Sequence, residues 1–234
     1  MAPEPISTAP LHAARSRTEL VGALTAALRG RELLTHPFYS RWEAGLLDRQ
    51  ELAEYAVHYR GFEEVLPVVL AAVVERLTDE GEPAAASLVA HNLADERGRP
   101  EAHLDLFDRF AAALPTTARA TGPGPASQAL VGTYLSLAEE GPVAALSGLV
   151  AYESQAARIA SSKAEGLRSH YGMDRAGTAF WDVHADLDAD HGDWALDALC
   201  DLGADPEQVA RAARRAADAW WGLLDEREAE AEAA

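Results

Sequence analysis

The chain has 234 residues, 48% of them hydrophobic, and its 38 Asp and Glu against 20 Lys and Arg give a net charge of −18. Such a charge repels phosphate backbones and anionic lipid, so nucleic acid and membrane surfaces are excluded as natural partners. The single cysteine, Cys200, cannot form an internal disulfide, and no apolar run approaches the ~20 residues that span a bilayer, so the expectation is a soluble, cytoplasmic protein.

Residues 1–17 are rich in Pro, Ala and Ser and read as a disordered N-terminal arm. Residues 18–225 read as one all-α domain of seven to eight helices, and 226–234 as an acidic C-terminal tail. Ala, Leu, Glu and Arg dominate at helical spacing, without alternating β-branched strand patterns. In chain order, a first helix over 18–29 stops at Gly30. His36-Pro37-Phe38-Tyr39 opens a short helix that ends near Gly45. Asp48 with Glu51 three residues on is a capping box, starting a long helix to about Thr78 that Pro67 is expected to kink. The next helix spans 83–97, Gly98-Arg99-Pro100 interrupts it, and helicity resumes through Leu114. A Pro- and Gly-rich loop over 115–125 leads to helices at about 126–139 and 142–171, with Gly141 as the break. Asp174 begins a helix that ends near Gly203, and Asp205-Pro206-Glu207-Gln208 caps the last.

His184, Asp188 and His191 stand at steps of four and seven, which leaves three metal-type side chains on one stripe of a helix. Glu96 with His103 seven residues on, and Glu153 in a separate apolar helix, extend the set. Three imidazoles and three carboxylates from three segments suit two iron ions that activate dioxygen, because hard oxygens and neutral imidazoles leave coordination positions open. The paired Glu-x-x-His motifs of ferritin-like proteins are absent, since Ala156 follows Glu153 at that position; this points to a different bundle. Plainer readings exist for each residue. His184, Asp188 and His191 could form a solvated acidic face beside Asp186 and Asp190, and Glu153 could pair with Arg158. Pro100 breaks the helical phase between Glu96 and His103, and a non-ideal ligand helix there could open to admit iron.

At these residues the chain resembles the haem-oxygenase-like diiron oxidases, which share a fold with haem oxygenase and TenA-type thiaminases. The resemblance is closest to the CADD-like branch, which makes 4-aminobenzoate for folate, and it runs from about Leu34 to Leu224. It is carried by His36-Pro37-Phe38-Tyr39, by Asp95-Glu96 through His103-Leu104-Asp105-Leu106, by Tyr152-Glu153-Ser154-Gln155 with Arg158-Ile159-Ala160 and Lys163, and by His184 through His191. It implies Glu96, His103, Glu153, His184, Asp188 and His191 as metal ligands, two Fe (or an Fe/Mn pair) as cofactor, O2 as co-substrate and an external reductant. It implies Tyr39 as a tyrosine whose ring becomes product, Tyr55 and Tyr152 as redox or supporting tyrosines, and Lys163 as amine source or catalytic group. Read as residues alone, Tyr39 and Tyr152 could be packed aromatics, and Lys163, the only lysine in the chain, an ordinary surface group.

The stretch Val57-His58-Tyr59-Arg60-Gly61-Phe62 departs from that branch, and His58 and Arg60 are expected to face a substrate cavity, where Arg60 would favour a carboxylate. The leading function is therefore a dimetal oxygenase forming 4-aminobenzoate from its own tyrosine, with a homodimer as the expected assembly. An oxidase of an external amino acid or fatty acid is the nearest alternative. A cofactor-free enzyme of the TenA or PqqC kind would need a cysteine nucleophile, for which Cys200 is badly placed, and haem oxygenase chemistry would need His36 as proximal ligand. A non-catalytic helical module is the remaining class.

Overall fold

Helix starts follow the caps written in the sequence. A computed structural model describes residues 17–98, 101–115 and 122–233, leaving aside the side chains of residues 188 and 189. Among the described residues there are nine α-helices: α1 (Arg17–Leu28), α2 (Pro37–Glu43), α3 (Arg49–Asp79), α4 (Pro83–Glu96), α5 (His103–Ala112), α6 (Pro125–Glu140), α7 (Pro142–Tyr171), α8 (Arg175–Asp201) and α9 (Pro206–Glu232), with a 3₁₀ turn at Leu33–Thr35. Five of them begin with proline, whose missing N–H falls where a helix has no acceptor for it. Asp48 accepts from the backbone N–H of Gln50 and Glu51, while Glu51 accepts from the Asp48 N–H, the reciprocal capping box expected there. Asp174 and Asp205 cap α8 and α9 in the same sense. α7 stops at Gly172, left-handed at φ 63°, a conformation that glycine adopts without steric cost.

The helices pack as one all-α bundle with α7 near its axis. α8 and α9 lie against α7, α4 and α5 close on α8, α3 packs on α4 and α6, and α1 lies along α9. The first part of α7, through Glu153, is buried on every face, while from Ser154 on a stripe of Ser154, Arg158, Ser161 and Glu165 faces solvent and the opposite side faces the core. Among the described residues, eleven of the twelve largest fully buried side chains are aromatic, and the twelfth is Lys163. An amine in that company marks a place where the fold serves something other than packing.

Two boundaries differ from the sequence reading. Arg17 is already helical and pairs with Asp193 and Asp197 of α8; residues 1–16 of the expected arm lie outside the described residues. The stretch read as an acidic tail continues α9 unbroken through Glu232, because its charges are held internally. Arg227 is buried between Glu226 and Glu230, and Glu226 accepts from the Ala126 N–H at the start of α6. Among the described residues no helix is long and apolar enough to cross a membrane.

Candidate metal centre and lysine–tyrosine cage

The helix break at Gly98 is what lets Glu96 and His103 meet. On one continuous helix, side chains seven apart would be stacked about 10 Å along the axis. Here Glu96 is the last residue of α4 and His103 the first of α5, and the two helices turn toward one another, leaving Glu96 Oε2 3.0 Å from His103 Nδ1. His184 of α8 joins them: one ligand atom from each of Glu96, His103 and His184 falls within 4.8 Å of the others, and all three residues are buried. The imidazoles of His103 and His184 are 4.5 Å apart between centroids. His184 Nδ1 lies 2.8 Å from the Phe180 carbonyl; with the proton on Nδ1, it donates there and Nε2 keeps its lone pair for a metal.

His191, two turns further along α8, sets Nδ1 4.0 Å from Glu96 Oε1 and Nε2 3.4 Å from Asp95 Oδ2. Glu153 of α7 is tied to the helices that carry these residues, α4 and α8, by two contacts. Asn92, one turn before Glu96, donates from Nδ2 to Glu153 Oε1 at 2.8 Å. Gly192, next to His191, approaches α7 so closely that a β-carbon on it would stand 3.4 Å from the Glu153 carbonyl carbon. Asp188, the remaining expected ligand, falls on α8 between the two histidines, with its side chain outside the described set.

Burial raises the Glu96 carboxyl, yet His103 in contact and the nearby imidazoles of His184 and His191 outweigh it, so the group lies below the usual carboxylate value. The contact also tests the fit for a metal. Although His103 Nδ1 and Glu96 Oε2 stand 3.0 Å apart, the nitrogen is not aligned with any acceptor for a hydrogen bond. Two donor atoms that converge on a point rather than on each other are arranged as ligands of one ion, whose neighbouring ligands at bonds of about 2.1 Å stand roughly 3 Å apart. A buried carboxylate with imidazoles is a donor set suited to iron.

A second polar cluster lies further along α7. Lys163 Nζ donates to the hydroxyl oxygens of Tyr39 (2.9 Å, from α2) and Tyr55 (2.6 Å, from α3), and the two hydroxyls are 2.8 Å apart. Five rings surround the amine, with Trp181 and Tyr39 nearest at 4.1 and 4.3 Å from Nζ to centroid. Lys163 is therefore no surface lysine: its side chain is buried and closes a triangle of hydrogen bonds. α2 is held in place for this by His36, which caps it through Nδ1 to the Phe38 N–H, and by Trp42 Nε1, which donates to the Lys163 carbonyl. Burial pushes both phenols above the ordinary tyrosine range; Tyr55 lowers Tyr39 slightly, and Tyr39 and Tyr152 raise Tyr55 further.

Tyr152 does not join this triangle. Its hydroxyl is 2.8 Å from that of Tyr59, and its ring stacks on Trp220 at 4.4 Å. Arg60 and His58 correct the sequence expectation. Arg60 points outward, where a bidentate contact with Asp108 and a bond to Glu64 hold it. His58 is buried away from the cluster, accepting from the Gly124 N–H at the start of α6. His36 has Nδ1 on the Phe38 N–H and Nε2 3.1 Å from Asp225, so neither nitrogen is available to a haem. Burial and nearby Asp197 push the Cys200 thiol up, which does not suit a nucleophile.

Sequence reasoning missed Asn92, Asp95 and Tyr59 as members of these sites. Asn92 precedes Glu96 by four and Tyr59 follows Tyr55 by four, the helical spacing that puts each on the face of a residue already singled out. One cavity of about 420 Å³ opens beside Glu153, between α1, α7 and α8, with Ser154, Arg158 and Gly192 in its wall.

The chain is 34% identical over 214 residues to the 4-aminobenzoate synthase of Nitrosomonas europaea, covering 85% of this chain and 86% of that protein. Its fold matches a CADD-like protein of unknown function from Nostoc punctiforme (TM-score 0.74, 18% identity, 92% and 97% of the two chains). It also matches a domain with a heme oxygenase-like fold from Shewanella denitrificans (TM-score 0.72, 16% identity, 93% and 94%). A family described as iron-containing redox enzymes matches residues 53–221, and with that span, that relative and that fold, this chain belongs to the iron-containing redox enzymes of the haem-oxygenase-like fold.

Proposed function

We propose that the enzyme forms 4-aminobenzoate from its own residues, with the Tyr39 ring as the aromatic source and Lys163 as the amine. The observation that carries this reading is the Lys163 Nζ lying 2.9 Å from the Tyr39 hydroxyl oxygen, the substituent that an amino group must replace. Relatives named 4-aminobenzoate synthase, at 28–34% identity over most of the chain, support it. Glu96, His103, Glu153, His184, Asp188 and His191 would hold two iron ions, or one iron and one manganese. These would supply dioxygen activation, with electrons from an external reductant.

The protein's own groups do the rest. The five rings around Lys163 exclude water from the reacting atoms and hold the amine against the phenol, so the two react as one unit rather than by diffusion. Tyr55 bonds to both and can take or return a proton at either oxygen or nitrogen as charge shifts. Asn92 and Asp95 orient Glu153 and His191. A homodimer in the cytoplasm completes the proposal. Full-length protein given Fe(II), reductant and O2 is expected to release 4-aminobenzoate without added substrate, at no more than about one per chain. Tyr39→Phe is expected to abolish release with iron still bound. Product that persists in Tyr39→Phe sinks the self-derived origin.

A second reading, oxidation of an external amino acid or fatty acid, is favoured by the cavity beside Glu153, where exposed Arg158 could meet a carboxylate. Dioxygen uptake triggered by such an acid, in place of a single self-limited turnover, distinguishes it.

A further inference from the structure

Tyr59 occupies the junction between the two clusters. On one side its ring lies 6.2 Å from Phe180, which packs on His184 at 4.1 Å, and its hydroxyl bonds to Tyr152, the residue before Glu153. On the other side its ring lies 5.4 Å from Tyr55, whose hydroxyl bonds to Tyr39 and Lys163. The hydroxyls thus form two pairs, Tyr152 with Tyr59 and Tyr55 with Tyr39, and what joins the pairs is the contact of the Tyr59 and Tyr55 rings, with the Lys163 amine over the Tyr59 ring at 5.2 Å. Electrons can cross that contact; protons cannot. From the geometry we infer that Tyr59 is the relay by which an oxidising equivalent from the iron site reaches the Tyr39–Tyr55–Lys163 cage.

The residues flanking this route serve it less well. Phe107 and Phe180 are close to Tyr59, but their rings carry no proton to release on oxidation. Trp181 also bridges Phe180 to Lys163, yet its indole N–H is buried with no acceptor among the described residues, so an oxidised indole there would keep its proton and its charge. Tyr59 has a partner 2.8 Å away that can take its proton and give it back.

The transfer balances against a one-electron oxidant, which iron held by the ligand set would supply with dioxygen. Tyr152 would give that oxidant an electron and its hydroxyl proton. The hydrogen of the Tyr59 hydroxyl then crosses to the Tyr152 oxygen, its O–H bond breaking on Tyr59 and forming on Tyr152. Tyr55 passes an electron to Tyr59 through the ring contact and, with the amine taken in its neutral form, its proton to Lys163 Nζ 2.6 Å away. Tyr59 recovers its proton from Tyr152, and Tyr152 recovers one from the oxidant. Tyr55 then takes the hydroxyl hydrogen of Tyr39. The net change is a Tyr39 phenoxyl, a protonated Lys163 and one electron on the oxidant, with Tyr55, Tyr59 and Tyr152 restored.

The end use of this oxidising equivalent rests on the proposed 4-aminobenzoate reading, but the relay is read out separately. Iron-loaded, reduced full-length protein is mixed with O2 and freeze-quenched, and the tyrosyl radical is measured by electron paramagnetic resonance alongside iron content and melting temperature. Ring-deuterated tyrosine narrows the signal and identifies it as tyrosyl, and the single Tyr→Phe variants identify its owner. Tyr39→Phe is expected to leave the radical on Tyr55 or Tyr59. Tyr59→Phe is expected to cut the radical in the cage at least tenfold, with iron content unchanged, and Tyr59→Trp to restore part of it. Phe62→Leu, which loosens the same core but removes no hydroxyl, is expected to stay within twofold of the wild type. Radical yield within twofold of wild type in Tyr59→Phe overturns the relay, as does the absence of any tyrosyl radical in the wild type. Absence of 4-aminobenzoate with the radical intact overturns the substrate reading and leaves the relay standing.

Discussion

The two clusters, one where α4, α5 and α8 meet and one around Lys163 of α7, are built differently. Around Lys163 each polar atom of the triangle has a hydrogen-bond partner at 2.6–2.9 Å, and rings close the cage. Around Glu96 the carboxylate and the imidazoles of His103 and His184 bring ligand atoms within 4.8 Å of one another, and His103 Nδ1, 3.0 Å from Glu96 Oε2, lacks a well-aligned acceptor. A satisfied network needs nothing further and holds a fixed geometry; a converging, unaligned one is complete only with an ion at its centre. On the proposed reading, the contrast separates the place for reacting groups from the place for metal.

Substitutions should therefore divide by cluster. His184→Ala is expected to have the largest effect, removing iron to below about a tenth of wild type and product with it, because the loss of one of a few ligands is felt in full. Metal analysis after anaerobic loading reads this directly. Lys163→Met is expected to abolish product as completely while leaving iron content intact, since Met fills the volume and Tyr39 and Tyr55 still bond to each other. If Lys163→Met lost its iron as His184→Ala does, the two clusters would not be separable.

Next in size is the contact that brings α8 to Glu153. A β-carbon at Gly192 would sit at 3.4 Å from backbone, a bearable contact, so Gly192→Ala is expected to be mild. Gly192→Val adds two methyls against α7 and is expected to destabilise by about 1–3 kcal/mol and to weaken iron binding, as thermal unfolding and metal titration would register. Asp95→Asn is expected to act more gently, lowering iron affinity about 10-fold through the orientation of His191 while leaving the fold and the Lys163 cage unchanged.

The candidate ligands His184 and His191 were legible because helical spacing puts them on one stripe, which needed only α8 to be a helix. The contact of Glu96 with His103 was not, since a break in helix phase reads in sequence as a loss of order; only the folded turn at Gly98 shows that it replaces a 10 Å separation with a contact. Lys163 was hidden for another reason. Its phase, about 80° off that of Glu153, keeps it off the exposed stripe of Ser154, Arg158, Ser161 and Glu165, but which side of α7 faces solvent is visible only once the helix is packed. Tyr59 was hidden by being ordinary: a tyrosine in an apolar stripe is core until its hydroxyl partner is seen.

Arg60 marks the smallest expected effect and a check on the division itself. The sequence placed it one residue from Tyr59 and so near a cavity, but neighbours on a helix point about 100° apart, and that angle carries Arg60 to the surface. There Asp108 and Glu64 raise its guanidinium above its usual value and hold it in place, at 38% side-chain exposure. Ion pairs so exposed contribute about 0–1 kcal/mol, so Arg60→Ala is expected to shift stability by no more than that, most at low salt, and to leave iron content and product yield at wild-type levels. Product lost in Arg60→Ala with the fold intact would mean that this face of α3 serves the chemistry, and that the cage is less enclosed than its five rings make it.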